Sequence, residues 1–306
     1  MQGFSKPVLS GLISAALTAC FLHSGALAAP KNPKNLEDGN RFFEGRNYLK
    51  AKAAYSDYIK DNPKDYRGYF GRGKTWIKLF NNAPAFYDLN KAVSLDGKDA
   101  ELYSTRGILQ VERGEFQSAL KDLNLALKKG AENKLEIFES RAECYRLIGL
   151  HKQQIEQLTE ILDLKQTPEL FKKRADAYYV LKDYDNAIKD YSKVLESDPD
   201  SYRLLLRRGY CYEKVKDWKA AIADYTKIID RDPKAYVILE RRAIAHRDAG
   251  ERQKALDDIS KAIYHFRGYS ARSMYLMRAK LYKELGDNAK AAKDFAKYNK
   301  GRPKKR

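Results

Sequence analysis

Small and apolar residues recur along this chain about every 34 residues, eight times between Asn32 and the C-terminus. One small-residue column reads Gly39, Gly73, Gly107, Ala142, Ala175, Gly209, Ala243, Ala279. A second reads Ala51, Ala85, Ala119, Ala187, Ala221, Ala255, Ala291, with Gln154 as its large member. Aromatics stand three residues after the first column, at Phe42, Trp76, Tyr145, Tyr178, Tyr212 and Tyr282, and Gln110 and His246 interrupt that series. A bulky column follows the second: Tyr55, Leu89, Leu123, Leu158, Tyr191, Tyr225, Ile259, Phe295. Pro63, Pro199, Pro233 and Pro303 close several repeats, and Gly97 and Ala131 take that place in two others.

Within a repeat the apolar spacing is helical, as in Ala187, Ile188, Tyr191, Val194 and Leu195. A short polar turn such as Lys182-Asp183-Tyr184-Asp185 splits each repeat, which therefore reads as helix, turn, helix. Small residues at fixed places let two helices approach closely, and proline ends the second helix. Pro84 falls in a first helical turn, where proline is tolerated.

The order small, aromatic, small, aromatic, proline resembles the tetratricopeptide repeat family. That resemblance covers nearly all of the chain after its first residues. It implies an all-α fold, a right-handed superhelical solenoid of about eight helix-turn-helix repeats, expected as one continuous body over residues 35–298. Repeat four, Leu135 to Thr167, departs most from the pattern, so a local change of pitch is expected there.

A less generic column is arginine. Arg72, Arg106, Arg141, Arg174, Arg208, Arg242 and Arg278 each precede the first small residue, and sixteen residues later come Asp88, Asp122, Gln157, Asp190, Asp224, Asp258 and Asp294. Repeat one lacks both members, with Asp38 and Ala54 in their places. Matched arginines and acids predict an internal ladder tying first helices to second helices, because a planar guanidinium suits a two-point contact with a carboxylate. An arginine stripe for anions would not need the matching acids.

The N-terminus has the pattern of an export leader: Lys6, an apolar run from Val8 to Leu22, then Ala26-Leu27-Ala28 as a small-x-small cleavage site. The expected organisation is a leader over 1–28, a linker over 29–34, the repeats, and a basic tail over 299–306. Leu17-Thr18-Ala19-Cys20 offers the alternative of a lipoprotein leader over 1–19, against which the apolar run continues through Phe21 and Leu22. The expected location is thus a bacterial periplasm or the exterior, or an outer membrane through a lipid on Cys20. Cleavage would leave Cys144 and Cys211, two repeats apart and expected as buried fillers, so disulfides are not the expected source of stability.

A net charge of +18 and a pI near 9.5 point to acidic partners, such as an acidic polysaccharide, anionic lipid or an acidic protein segment. Export argues against nucleic acid, and no nucleic-acid module is recognisable. Gly68 to Thr75 matches the phosphate-loop pattern G-x-x-x-x-G-K-[ST], with Lys74 and Thr75 in the last two places. Here it falls inside a first helix, whose inner N–H groups are already bonded and cannot cradle phosphate. His23, His151, His246 and His265 lack metal-ligand spacing, and nothing assembles a nucleophile, base and orienting group. A non-enzyme without metal or cofactor is the expectation.

In the family it resembles, first helices line a concave groove that holds extended peptides or short helices. Projection places Leu36, Phe43, Phe70, Ile77, Ile108 and Val111 towards that groove as an apolar stripe, with packing between neighbouring repeats as the alternative for Phe43 and Ile77. Further on, Glu139 and Glu143 belong to an acidic zone, and Arg203, Tyr210 and Arg247 to a basic one interrupted by apolar residues. Three zones of different character suit a specific polypeptide better than a uniform anionic polymer. The end face of the last repeat is expected to be open to a partner or to a second copy.

Overall fold

The computed structural model describes residues 30–95, 98–266 and 271–299. These residues form sixteen α-helices and no strand. The leader pattern, Cys20 and the tail from Lys300 lie outside them. The chain divides into two compact units, residues 1–132 and 133–306.

The first unit holds three helix pairs: α1 (Pro33–Glu44) with α2 (Tyr48–Asp61), α3 (Tyr66–Lys78) with α4 (Asn82–Leu95), and α5 (Ala100–Glu112) with α6 (Phe116–Lys128). Helix α1 starts at Pro33, inside the stretch expected as linker. The second unit holds five pairs. These are α7 (Lys134–Leu147) with α8 (His151–Leu164), α9 (Pro168–Val180) with α10 (Tyr184–Ser197), α11 (Tyr202–Lys214) with α12 (Trp218–Arg231), α13 (Tyr236–Asp248) with α14 (Arg252–His265), and α15 (Arg272–Glu284) with α16 (Asn288–Asn299). Within each unit, the second helix of one pair also packs on the first helix of the next. The expected all-helical fold of eight helix-turn-helix repeats is present.

The small columns work as their positions imply. Seven alanines of the second column, Ala51 through Ala291, are 0–3% exposed. Gly209 faces Tyr225 so closely that an added Cβ would lie 2.7 Å from the ring, so the tyrosine can lie flat only over glycine. Each pair turns through one left-handed residue: Arg46, Phe80, Gly114, Gly149, Lys182, Lys216, Gly250 and Gly286 all have positive φ. Four of these are not glycine and carry backbone strain that glycine would avoid. The five-residue apolar stripe of α10 is mostly buried as the spacing requires, with Ala187, Tyr191, Val194 and Leu195 in the core and Ile188 half-buried.

Six of the seven ladder steps form, each of them Arg–Asp. Each guanidinium grips its carboxylate at two points, as in Arg72–Asp88 at 2.7 and 2.9 Å and Arg208–Asp224 at 2.9 and 2.7 Å. Arg106–Asp122, Arg174–Asp190, Arg242–Asp258 and Arg278–Asp294 repeat that geometry. A third contact accompanies these two, to a polar residue five places after the second small-column position of the preceding repeat. The remaining Nη1 donates backwards to the preceding repeat's second helix: Arg72 to Ser56, Arg106 to Asn90, Arg174 to Thr159, Arg208 to Ser192, Arg242 to Thr226 and Arg278 to Ser260. Each arginine therefore ties three helices, and the aspartates, at 1–6% exposure, are satisfied ions inside the repeat core.

Candidate functional site

The first helices of the second unit place charged and aromatic side chains along one series of gaps. In repeat five, Tyr191 on α10 points its hydroxyl between α9 and α11 and donates to Asp176 at 2.6 Å. Arg207 on α11 reaches the same carboxylate at 3.1 Å. Burial, then the Asp176 carboxylate, push the Tyr191 phenol far above its usual value, so it remains a donor. The next repeat uses the same device: Tyr225 donates to Glu213 at 2.7 Å, and Arg241 reaches Glu213 at 3.1 Å.

Aromatic rings cover these ions. Tyr179, Tyr184 and Tyr210 form a cluster with centroids 5.7–6.4 Å apart. Arg207 lies over Tyr179 at 5.3 Å, and Arg241 and Lys214 over Tyr210 at 5.0 and 4.8 Å. Tyr210 is half-buried here, with its ring faces partly occupied by cations. Arg207 and Arg241 are thus bound to acids of this same face. Arg203 is exposed, and Arg247 is exposed and paired with its neighbour Asp248 at 2.7 Å.

In the first unit the expected apolar stripe is only partly a surface. Leu36 and Phe70 meet at a small cavity of about 230 Å3 shared with Asn40, Gly71 and Lys74. Phe70 is 6% exposed and belongs to the core, which corrects its reading as an open groove residue. The Lys74 ammonium sits over Phe70 at 4.4 Å and Phe43 at 5.7 Å, and pairs with Glu101 at 3.0 Å. Phe43 also meets Tyr48 edge-on. Ile77 is half-buried and packs on the same core as Phe70. Ile108 and Val111 are half-buried.

Lys74 had drawn notice in the sequence only through the phosphate-loop pattern. Its segment is helix α3, Thr75 is fully buried with its hydroxyl donating to Gly71 O at 2.7 Å, and no phosphate loop exists there. The tyrosine–acid–arginine contacts were also missed. Their signal was present: Tyr191 and Tyr225 are each followed by arginine sixteen residues on, at Arg207 and Arg241. Among the described residues, no three His, Cys, Asp or Glu side chains gather as a metal site. Cys144 and Cys211 are free and fully buried, and burial pushes their thiols up to about 11 and about 12.

Repeat four is the exception in both units' terms. Glu143 is gripped by Arg146 at 2.6 and 2.8 Å, and Glu139 is exposed. Both line a cavity of about 620 Å3 between α7, α8 and α9. Gln154 fills its small-column place at 4% exposure and meets His151 Nδ1 at 3.0 Å.

These features define a paired-helix repeat protein whose first helices present a patterned face of aromatic rings and ion pairs. Tetratricopeptide repeat family models match residues 172–236 and 273–303, so repeats of that type are present in the second unit. Hsp70-Hsp90 organizing protein 3 of Arabidopsis thaliana is 30% identical over 138 residues, 45% of this chain and 23% of the relative. Hsp70-Hsp90 organizing protein 2 of the same plant is 30% identical over 113 residues, 37% of this chain and 20% of the relative. The chain therefore spans less than a quarter of the length of these curated relatives. Among solved structures, Naa15/Naa10 bound to HypK-THB has a TM-score of 0.62 at 18% identity, over 87% of this chain and 42% of that one. The C-terminal part of a TPR repeat-containing protein from Cytophaga hutchinsonii has a TM-score of 0.50 at 17% identity, over 89% and 96%. The fold is of the tetratricopeptide type.

Proposed function

We propose that this protein is an exported, non-enzymatic scaffold that holds a segment of a protein partner along the face of its first helices, in envelope assembly or secretion. The observation that carries the reading is the patterned face itself. Rings at Tyr179 and Tyr210, with Tyr184 at the start of α10 packed against both, alternate with ion pairs whose charges are already matched. Such a face offers apolar contact and oriented hydrogen bonding at small desolvation cost, which suits a polypeptide. A polyanion would need unpaired positive charge, and Arg207 and Arg241 do not offer it. Relatives named for organising Hsp70 and Hsp90 support a role among proteins, over the shared 138 residues. Export rests on the leader pattern of residues 1–28.

The test is capture from envelope extract by the chain from Ala29 onward, at moderate and high salt, compared with Ile108→Glu and Tyr210→Glu variants checked for helical content. Phe70→Glu is unsuitable, because it would place a carboxylate in the core. The expected result is a discrete protein retained at high salt and lost with either variant. Polysaccharide or lipid alone, released by salt and indifferent to both variants, would overturn the reading. An export assay of the full chain, with the mature N-terminus sequenced, checks the leader; a cytoplasmic, uncleaved product would remove the envelope from the proposal.

A further inference from the structure

Repeat four leaves open a space that repeat five fills with a tyrosine. Counted from the small columns, Tyr191, Asp176 and Arg207 of repeat five correspond to Leu158, Glu143 and Lys173 one repeat earlier. In repeat five the three are joined: the hydroxyl donates to Asp176, and Arg207 reaches the same carboxylate. In repeat four the corresponding three all line the cavity of about 620 Å3. Leucine brings neither ring nor hydroxyl, and the cavity lies against it and against Glu143. Its volume is within the range of about 300–1,000 Å3 usual for sites that take small groups.

The walls suit a ring with one polar end. Leu158, Ile161 and Leu170 are buried apolar side chains on the cavity wall. Glu143 stands at the position of Asp176. Its hydrogen bond with Arg146 holds its carboxyl below the usual range, so it accepts and does not donate at neutral pH. A carboxylate bound by arginine still has acceptor capacity, as Asp176 shows by accepting from both Tyr191 and Arg207. Lys173, where repeat five has Arg207, is turned to Glu169 at 3.1 Å.

We propose that this cavity receives the phenol of a tyrosine side chain from the polypeptide held on the first-helix face, and this rests on the functional reading above. The ring lies on Leu158, Ile161 and Leu170, and the hydroxyl donates to Glu143, reproducing in trans the contact that Tyr191 makes with Asp176 in cis. An aliphatic side chain would fill the same space without giving Glu143 a donor. Acids and bases balance on the lining, with Glu139, Glu143 and Glu169 against Arg146, Lys165 and Lys173, so an acidic side chain gains no net charge attraction there.

The experiment titrates full-length protein, labelled at leucine and isoleucine methyls, with p-cresol, then compares N-acetyl-tyrosinamide with N-acetyl-phenylalaninamide by NMR. Saturable shifts are expected at Leu158, Ile161 and Leu170, with the tyrosine amide bound about five-fold or more tightly than the phenylalanine amide. Leu158→Tyr supplies the ring from the chain itself and is expected to abolish those shifts and to weaken partner capture. Absent shifts, shifts scattered over the protein, or equal affinity for the two amides overturn the inference without any variant. Capture unchanged in a folded Leu158→Tyr variant overturns it as well. A failed titration with capture intact removes only this inference. Capture that fails while the titration succeeds removes the functional reading on which the origin of the tyrosine depends.

Discussion

Arg141 and Gln157 occupy the ladder positions of repeat four without completing the bond that the other six Arg–Asp steps form. Arg141 Nε and Gln157 Oε1 are both buried without a hydrogen-bond partner among the described residues. Gln157 instead donates to Glu160 at 3.3 Å. The residue three beyond the ladder acid is lysine in five of the intact steps, at Lys91, Lys193, Lys227, Lys261 and Lys297, and Leu125 in the sixth. Repeat four has thus exchanged two charges together.

The first prediction follows from that exchange. Gln157→Asp alone would put a second carboxylate beside Glu160. Gln157→Asp with Glu160→Lys is expected to complete the ladder and stabilise the second unit by about 1–2 kcal/mol, from charge-assisted bonds less the desolvation of the new ion. The urea midpoint of the double variant against wild type measures it. A midpoint that falls would show that a neutral glutamine beside Arg141 suits this repeat better.

An intact step should be far more sensitive than a surface pair. Asp224→Ala leaves Arg208, 17% exposed, with only its bond to Ser192, and is expected to cost about 3–5 kcal/mol. Glu196→Ala breaks the exposed Lys193–Glu196 pair and should leave stability unchanged. Hydrogen exchange on α11 and α12 after each substitution separates the two cases.

Tyr191→Phe keeps the buried ring and removes only the hydroxyl that meets Asp176. A loss of about 1–2 kcal/mol is expected, because Asp176 keeps Arg207 and Lys172. Leu158 makes no such contact, so Leu158→Met in repeat four should cost less than about 1.5 kcal/mol. Thermal melts of the two variants suffice.

The buried thiols give a pH prediction. Burial raises Cys144 to about 11 and Cys211 to about 12, so both stay protonated and unreactive well above the ordinary thiol value. A thiol reagent near pH 8 is expected to modify neither in the native protein and both after denaturation. The sign for stability is fixed by the same shift. The contribution is full below about pH 8.5, the unfolded value. It is lost progressively as the pH rises towards 11 and 12. Cys144→Ala with Cys211→Ala should flatten that alkaline limb of a stability profile; an unchanged limb would assign it to tyrosines instead.

Much of this molecule could be read without coordinates because a repeat prints its own alignment. Eight copies put the small residues, the tyrosines and the arginine with its acid sixteen positions later into columns, and a fixed offset between two helices of one pair becomes a fixed distance in space. The eight helix pairs and the two-point Arg–Asp steps were therefore determined by sequence alone, while the unpartnered Arg141 Nε and Gln157 Oε1 came from the packing. What lies between one pair and the next was not. The third arginine contact has a column of small polar acceptors, Ser56, Asn90, Thr159, Ser192, Thr226 and Ser260, each five places after the second small-column position, but the column does not say that its hydroxyl or amide meets the next repeat's arginine. Phe70 could be assigned to the core, and Arg207 and Arg241 to acids rather than to solvent, only once neighbouring first helices were packed. Helical projection tells which way a side chain leaves its helix. Whether it then meets water, an ion or another ring depends on its neighbour across the gap, and that is set by tertiary packing.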